Sequence, residues 1–73
     1  MQMNRYEETL ASLKEMFPGQ LLLGPEEMAR ALGLRKQTIY NKVSNGSFPV
    51  KTTKAHGKLK GKIHDLARHI AAL

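Results

Sequence analysis

The stretch PEEMARALGLRKQTIYNKVSNG, residues 25–46, decides the fold predicted for this chain. Pro25 favours a helix start, because the N–H that proline lacks has no partner at the first helical position. Gly33 suits the turn that ends this first helix. A second helix follows from Lys36, and the Asn-Gly pair that ends in Gly46 indicates where it stops. Two short helices joined by a tight turn, the second polar and basic, are typical of a helix-turn-helix unit.

Apolar side chains at helical spacing are expected to hold this unit together. Ala29 is small where the two helices must approach closely, and Leu34 and Ile39 are expected to fix the second helix on the first. The predicted inner residues are Leu23, Met28, Ala29, Leu32, Leu34, Ile39, Tyr40 and Val43.

The start and one side of the second helix are then left pointing outward. Side chains of these types suit DNA, because Gln and Asn can read adenine edges, Arg can read guanine, and Lys and Thr suit phosphate. The predicted outward residues are Arg35, Lys36, Gln37, Thr38, Asn41 and Lys42.

A further helix is predicted before this unit, over residues 5–16. Asn4 is its N-cap, and Glu7 occupies the capping-box position. A stripe of apolar side chains recurs at helical spacing, and we expect it to face the core; packing on a second copy or on a polymerase is the alternative. The stripe consists of Tyr6, Leu10, Leu13 and Phe17.

After the helix-turn-helix unit, a β-prone stretch predicts a hairpin over residues 50–63 with its loop at His56 and Gly57. A closing helix over residues 65–73 would place Leu66, Ile70 and Leu73 against the core. The predicted fold is therefore mainly α with a small β-hairpin, in the order helix, helix, helix, hairpin, helix. We expect a single domain over residues 1–73 with the helix-turn-helix unit at residues 25–45.

Charge is distributed unevenly along the 73 residues, which carry a formal net charge of +6. Residues 1–34 contain three basic and five acidic side chains, whereas residues 35–73 contain nine basic side chains and Asp65 alone as an acid. This separation suits a polyanion such as nucleic acid or an acidic membrane surface. A solvated surface with no partner is the alternative.

Composition argues against several other classes of protein. The chain has no cysteine, which removes disulfides and thiolate metal sites and fits a reducing cytoplasm. No apolar run is long enough for a membrane span, and we expect no membrane partner. His64 and His69 would lie about 140° apart around a helix, a poor arrangement for one metal. We predict no metal, no cofactor, no catalytic residue and no enzyme activity.

The stretch LLLGPEEMARALGLRKQTIYNKVSNGSFPVK resembles the winged-helix modules of phage and prophage regulators. These are the AlpA-like activators, the excisionases and the pyocin-activator group, which are related to the DNA-binding head of MerR-type regulators. The segment GLRKQTIY matches their Gly-hydrophobic-x-x-x-Thr-hydrophobic-Tyr pattern, and the resemblance extends through IHDLARHIAAL to the C terminus. The first helix lies outside it. The resemblance implies a winged helix-turn-helix fold and a regulator of a phage, prophage or plasmid element.

The resemblance also implies roles for individual residues. The recognition helix would present Arg35, Lys36, Gln37, Thr38, Tyr40, Asn41 and Lys42. The wing would present Lys51, Thr53, Lys54, His56, Lys58, Lys60 and Lys62. The chain departs from the family at two helix caps, where Gly24 and Arg35 replace the usual Ser or Thr. Because Arg offers no acceptor for the free N–H groups, we expect the first turn of the recognition helix to shift or fray.

Double-stranded DNA is thus the expected partner, in transcription control. An excisionase-type accessory factor that bends DNA is the alternative within this class. RNA binding is less favoured, because few aromatic side chains are free to stack on bases. From another class, the stripe on the first helix would suit a protein-interaction module. Further expected partners are a second copy, as a dimer or array on DNA, and RNA polymerase or a recombinase.

Overall fold

The computed structural model describes residues 4–73, and residues 1–3 of the predicted domain lie outside the described residues. The elements in chain order are α1 (Arg5–Met16), β1 (Leu22–Leu23), α2 (Pro25–Leu32), α3 (Lys36–Ser44), β2 (Thr52–Ala55), β3 (Lys58–Lys62) and α4 (Ile63–Ala71). Residues 4–73 therefore form a mixed α/β domain with four helices and a three-stranded antiparallel sheet. The predicted order of helices and hairpin is confirmed, but the sheet has one strand more than predicted.

Local capping sets the ends of α1. The Glu7 N–H donates a hydrogen bond of 2.8 Å to Oδ1 of Asn4, so the predicted N-cap is confirmed. At the other end, Phe17 is the C-cap, and Pro18 follows it. The apolar stripe of α1 packs inside the domain: Leu13 and Phe17 are buried, and Tyr6 and Leu10 pack against the core beside α4. The predicted core role of this stripe is confirmed.

The helices α2 and α3 begin and end as the sequence predicts. The Gly24 N–H, at the N-cap of α2, donates a hydrogen bond of 2.7 Å to Oε1 of Glu27. A side chain within α2 thus provides the hydrogen-bond partner of the N-cap N–H. Gly33 has a φ of +71° and ends α2. Arg35 makes no side-chain cap, as expected, yet α3 begins at Lys36, so the expected shift of its first turn is not seen. The backbone bond from the Ile39 N–H to the Arg35 carbonyl closes that turn.

The hairpin turns at His56 and Gly57, as predicted. Both residues have positive φ, 55° and 75°, which is the backbone of a two-residue type I′ turn. The additional strand β1 pairs with β3, so β3 is the central strand of the sheet. In this pairing Leu22 lies opposite Lys62 and Leu23 opposite Gly61. The loop before α2 is thereby tied to the stem of the hairpin.

The closing helix begins two residues earlier than predicted. Strand β3 runs directly into α4, because the extended backbone of Lys62 leads to Ile63, whose N–H donates to the Leu21 carbonyl at 2.9 Å. The helix also ends earlier, at Ala71. Leu73 is 80% exposed, so its predicted place against the core is wrong.

The core lies where α1, α2, α3 and α4 meet the inner face of the sheet. Its buried side chains are Leu13, Phe17, Leu23, Met28, Ala29, Ile39, Val50, Ile63, Leu66 and Ala67. Two predicted core residues are corrected, because Leu34 is 39% exposed and Tyr40 is 41% exposed. No helix of residues 4–73 has the length and apolar character to cross a bilayer.

Candidate nucleic-acid interface

The helix α3 is held by one side and presents the other to solvent. Ile39 is fully buried, and Val43, one turn later, packs against the core. Because residues on an α-helix repeat every 3.6 positions, the opposite side carries the exposed residues Gln37, Tyr40 and Asn41. This side contains the amide groups that the sequence predicts as base readers.

The exposed face of α3 has its own internal order. The Nε2 group of Gln37 donates a hydrogen bond of 3.1 Å to Oδ1 of Asn41, one helical turn away. This hydrogen bond favours one mutual orientation of the two side chains in the unbound protein, by about 0.2–0.5 kcal/mol as for other exposed pairs of this spacing.

Two predicted outward residues lie to the side of this face. Thr38 and Lys42 are half-buried, because their positions on the helix are next to those of Ile39 and Val43. They are therefore at the border of the outward side predicted for them. Arg35 and Lys36 are exposed at the start of the helix, as predicted.

A groove lies between the start of α3, the start of α2 and the hairpin. The side chains of Lys36 and Tyr40 line it from α3, and Lys54, Lys58 and Lys60 line it from the hairpin. Residues distant in sequence, from both predicted DNA-binding elements, thus share one concave surface. We call this surface the basic groove.

The basic groove also has an acidic edge, which sequence reasoning did not place there. Glu26 and Glu27 line it at the start of α2. The Lys36 Nζ lies 3.9 Å from Oε1 of Glu26, with both side chains more than half exposed, so this ion pair contributes little to stability. Glu27 is engaged with the Gly24 N–H. The Glu26 carboxylate thus reduces the positive potential at the entrance to the groove.

The remaining hairpin residues line a second, shallower surface. Gly61 faces the core, since a Cβ at this position would lie 2.7 Å from Sδ of Met28. Side chains alternate along a strand, so Lys58, Lys60 and Lys62 point away from the core, to the face that we call the outer face, and Lys58 and Lys60 also line the basic groove at its edge. A shallow hollow next to Lys60 and Lys62 is lined by Lys51, Thr52, Thr53, Lys60, Lys62 and Asp65.

The predicted wing residues thus divide into two groups. Lys54 and Lys58 belong to the basic groove, Lys51, Thr53 and Lys62 belong to the outer face, and Lys60 lines both surfaces. His56 is exposed at the tip of the hairpin turn. Lys60, which lines both surfaces, therefore connects the basic groove with the hollow on the outer face.

The lysines of the hairpin are free to meet an anion. Within residues 4–73 the ion pairs are Lys36 with Glu26 and Arg68 with Asp65, and neither involves a hairpin lysine. The same described residues contain no group of three or more His, Asp or Glu side chains placed to hold a metal ion. The chemistry that this site offers is the binding of negative charge beside hydrogen-bonding amides.

Searches against protein-family models, curated proteins and solved structures found no match to this chain. The geometry of the basic groove and of α3 is therefore the basis for the function proposed below.

Proposed function

We propose that this protein is a winged helix-turn-helix protein that binds double-stranded DNA in a sequence-specific way, and that it is not an enzyme. In this proposal α2 and α3 form the helix-turn-helix unit, with the turn at residues 33–35, and the β2–β3 hairpin is the wing. The order of helices and strands and the short turn between α2 and α3 support it.

The basic groove is the observation on which the proposal depends. It unites Lys36 and Tyr40 of α3 with Lys54, Lys58 and Lys60 of the hairpin. A single duplex can contact both elements because they share one surface. Lysines without carboxylate partners can replace the counterions of a DNA backbone, which is the main source of affinity for DNA.

In the proposed complex α3 enters the major groove, which is wide enough to admit an α-helix. Its exposed Gln37 and Asn41 face the base edges, while Lys54 and Lys58 contact phosphates beside the site. The first turn of α3 has no side-chain cap, so its backbone N–H groups can bind a phosphate. Affinity then comes mainly from the hairpin, and sequence preference from α3.

Control of transcription is the role that we propose for this binding. The outer face favours a second role, an accessory factor that bends DNA for a recombinase. Lys51 and Lys62 line the hollow and not the basic groove, and in this second role a bent duplex contacts both surfaces. Curvature measured by fluorescence energy transfer between the two ends of a bound duplex distinguishes the two roles.

Fluorescence anisotropy with a labelled duplex at several salt concentrations tests the DNA-binding proposal. We expect the logarithm of affinity to fall linearly with the logarithm of salt concentration, with a slope of about −0.9 for each phosphate contacted. A single-stranded oligonucleotide and a duplex RNA of the same sequence serve as competitors. An affinity that does not respond to salt, or that is higher for RNA, contradicts the proposal.

A matched pair of variants locates the surface. The double variant Lys54→Ala and Lys58→Ala removes two charges from the basic groove, and Arg5→Ala with Lys14→Ala removes two exposed charges from α1. We expect the groove variant to lose about tenfold or more in affinity and to reduce the salt slope by about two, while the α1 variant keeps most of its affinity. Equal losses in both would show that only net charge matters.

A further inference from the structure

Gln37 and Asn41 form a hydrogen-bonded pair of side chains on α3 that bears on which base the protein selects. Both are exposed on α3, and the Gln37 Nε2 group donates to the Asn41 Oδ1 atom at 3.1 Å. This inference rests on the proposed DNA binding, because it concerns which base the face of α3 selects.

The hydrogen bond between the two side chains determines which amide donor and acceptor atoms remain available to a base. A single Asn or Gln reads adenine with both of its amide atoms, the oxygen as acceptor and the nitrogen as donor. The oxygen of Asn41 is already engaged, so Asn41 retains its Nδ2 donors, and Gln37 retains its Oε1 acceptor. Neither Oε1 nor Nδ2 makes a side-chain hydrogen bond within residues 4–73. The pair together presents one acceptor and one donor group.

We propose that Gln37 and Asn41 read one adenine as a unit. Gln37 Oε1 accepts from the N6 amino group, and Asn41 Nδ2 donates to the ring nitrogen N7. Guanine is rejected because its major-groove edge offers two acceptors, N7 and O6, and O6 would face the Gln37 oxygen. The bond between the side chains favours this arrangement before binding, which lowers the entropy lost when DNA is bound.

The first step of the test uses the whole chain and a pool of random duplexes to select a preferred site. Each adenine of that site is then replaced singly by guanine and by 7-deaza-adenine, which lacks the N7 acceptor. We expect one adenine at which either replacement weakens binding about tenfold or more. If the wild-type chain selects no site and shows no salt-dependent affinity for duplex, DNA binding itself is wrong, and this inference is wrong with it.

The second step is a double-mutant cycle on the discrimination between adenine and guanine at that position. Gln37→Ala and Asn41→Ala should each reduce it, and the double variant should lose no more than the larger single loss, because either change breaks the unit. Asn41→Ala should also become insensitive to 7-deaza-adenine. Losses that multiply in the double variant, or that fall at two different base pairs, overturn the proposal while leaving DNA binding intact.

Ser44→Ala is the control on the same face of α3. It lies one turn beyond Tyr40 and removes a hydroxyl that is no part of the pair. We expect adenine discrimination to stay within about twofold of wild type, since surface substitutions of this kind have small effects. All these residues are exposed, so thermal unfolding of each variant should match that of the wild type. A loss in Ser44→Ala as large as that in Gln37→Ala overturns the pair as the reading unit.

Discussion

Arg68 on α4 and Lys58 on the hairpin are both exposed cations, but their surroundings differ. The Arg68 guanidinium donates to Oδ1 of Asp65 at 3.1 Å and lies 5.7 Å from the centre of the Tyr6 ring. Arg30 similarly lies 5.5 Å from the centre of the Phe17 ring. Lys58 makes no ion pair within residues 4–73. Arg68 and Arg30 are thus engaged within the domain, whereas Lys58 is left for a partner.

The apolar side chains follow the same division. The helices α1 and α4 bury several large side chains against each other and the sheet, while α3 is anchored mainly by Ile39. One half of the molecule therefore supplies stability, and the other supplies a surface. Stability and DNA affinity should therefore respond to different substitutions.

The largest effect is expected at Leu66, which is fully buried in α4. Leu66→Ala should lower the free energy of unfolding by about 2–5 kcal/mol, because it removes buried methyl groups and leaves a cavity. Leu73→Ala, the same change at an exposed position, should cost less than about 0.5 kcal/mol. Urea denaturation followed by circular dichroism measures both. The Leu66→Ala variant, under conditions where it is folded, should bind DNA with the salt slope of the wild type. A changed slope would mean that the core of α4 also shapes the DNA-binding surface.

Gly61 lies where the two halves join, and its substitution tests that junction. A Cβ at Gly61 would lie 2.7 Å from Sδ of the fully buried Met28, so we expect Gly61→Ala to cost about 1–3 kcal/mol through overpacking. In the double variant with Met28→Ala, the added methyl group occupies part of the space that the methionine leaves. The double variant should therefore cost less than the sum of the single changes, measured by the same denaturation. Additive costs would mean that these two residues do not limit the approach of β3 to α2.

The outer face is expected to contribute less than the basic groove. Lys51→Ala with Lys62→Ala removes two charges from residues outside the groove. We expect affinity for a short straight duplex to fall about twofold, because the charges act at a distance and are screened by salt. For a longer duplex that curves around the hairpin, the loss should be greater. Anisotropy with the two lengths makes this comparison, and a tenfold loss on the short duplex would place Lys51 or Lys62 in direct contact with it.

The smallest effect has the opposite sign. Glu26→Gln removes the exposed carboxylate at the edge of the basic groove and frees Lys36 from an ion pair of 3.9 Å. We expect affinity for DNA to rise by roughly twofold at low salt, with stability unchanged within about 0.5 kcal/mol, because exposed ion pairs contribute little. Glu8→Gln on α1 is the matched control. Weaker binding by Glu26→Gln would mean that Glu26 positions Lys36 rather than opposing the DNA.

Much of the fold could be predicted because helix ends carry local signals. Asn4, Pro25 and Gly33 mark ends of α1 and α2 by hydrogen-bonding or backbone properties of the residues themselves. The hairpin turn at His56 and Gly57 follows from the same kind of local preference. For the candidate site, the outward position of Gln37 and Asn41 follows from the helical period alone.

The features that could not be predicted depend on contacts between distant residues. Strand β1 has two residues, too few for any period, and it exists because Leu22 and Leu23 pair with β3. The same pairing explains why α4 begins at Ile63 directly after the sheet. The inward position predicted for Tyr40 is wrong because its side chain lines the groove beside the hairpin, which only the tertiary arrangement creates. The acidic edge at Glu26 depends on that same tertiary arrangement.

The pairing of β1 with β3 has a thermodynamic consequence for recognition. The loop before α2 is hydrogen-bonded to the stem of the hairpin, so the angle between α3 and the hairpin is set when the chain folds. A partner that fits this angle requires little ordering of the protein, and association then shows only the modest heat-capacity change of surfaces that meet without coupled folding. Calorimetric titration over a range of temperatures measures this heat-capacity change. A small value is expected because the two-residue strand β1 orders the loop and the hairpin before binding.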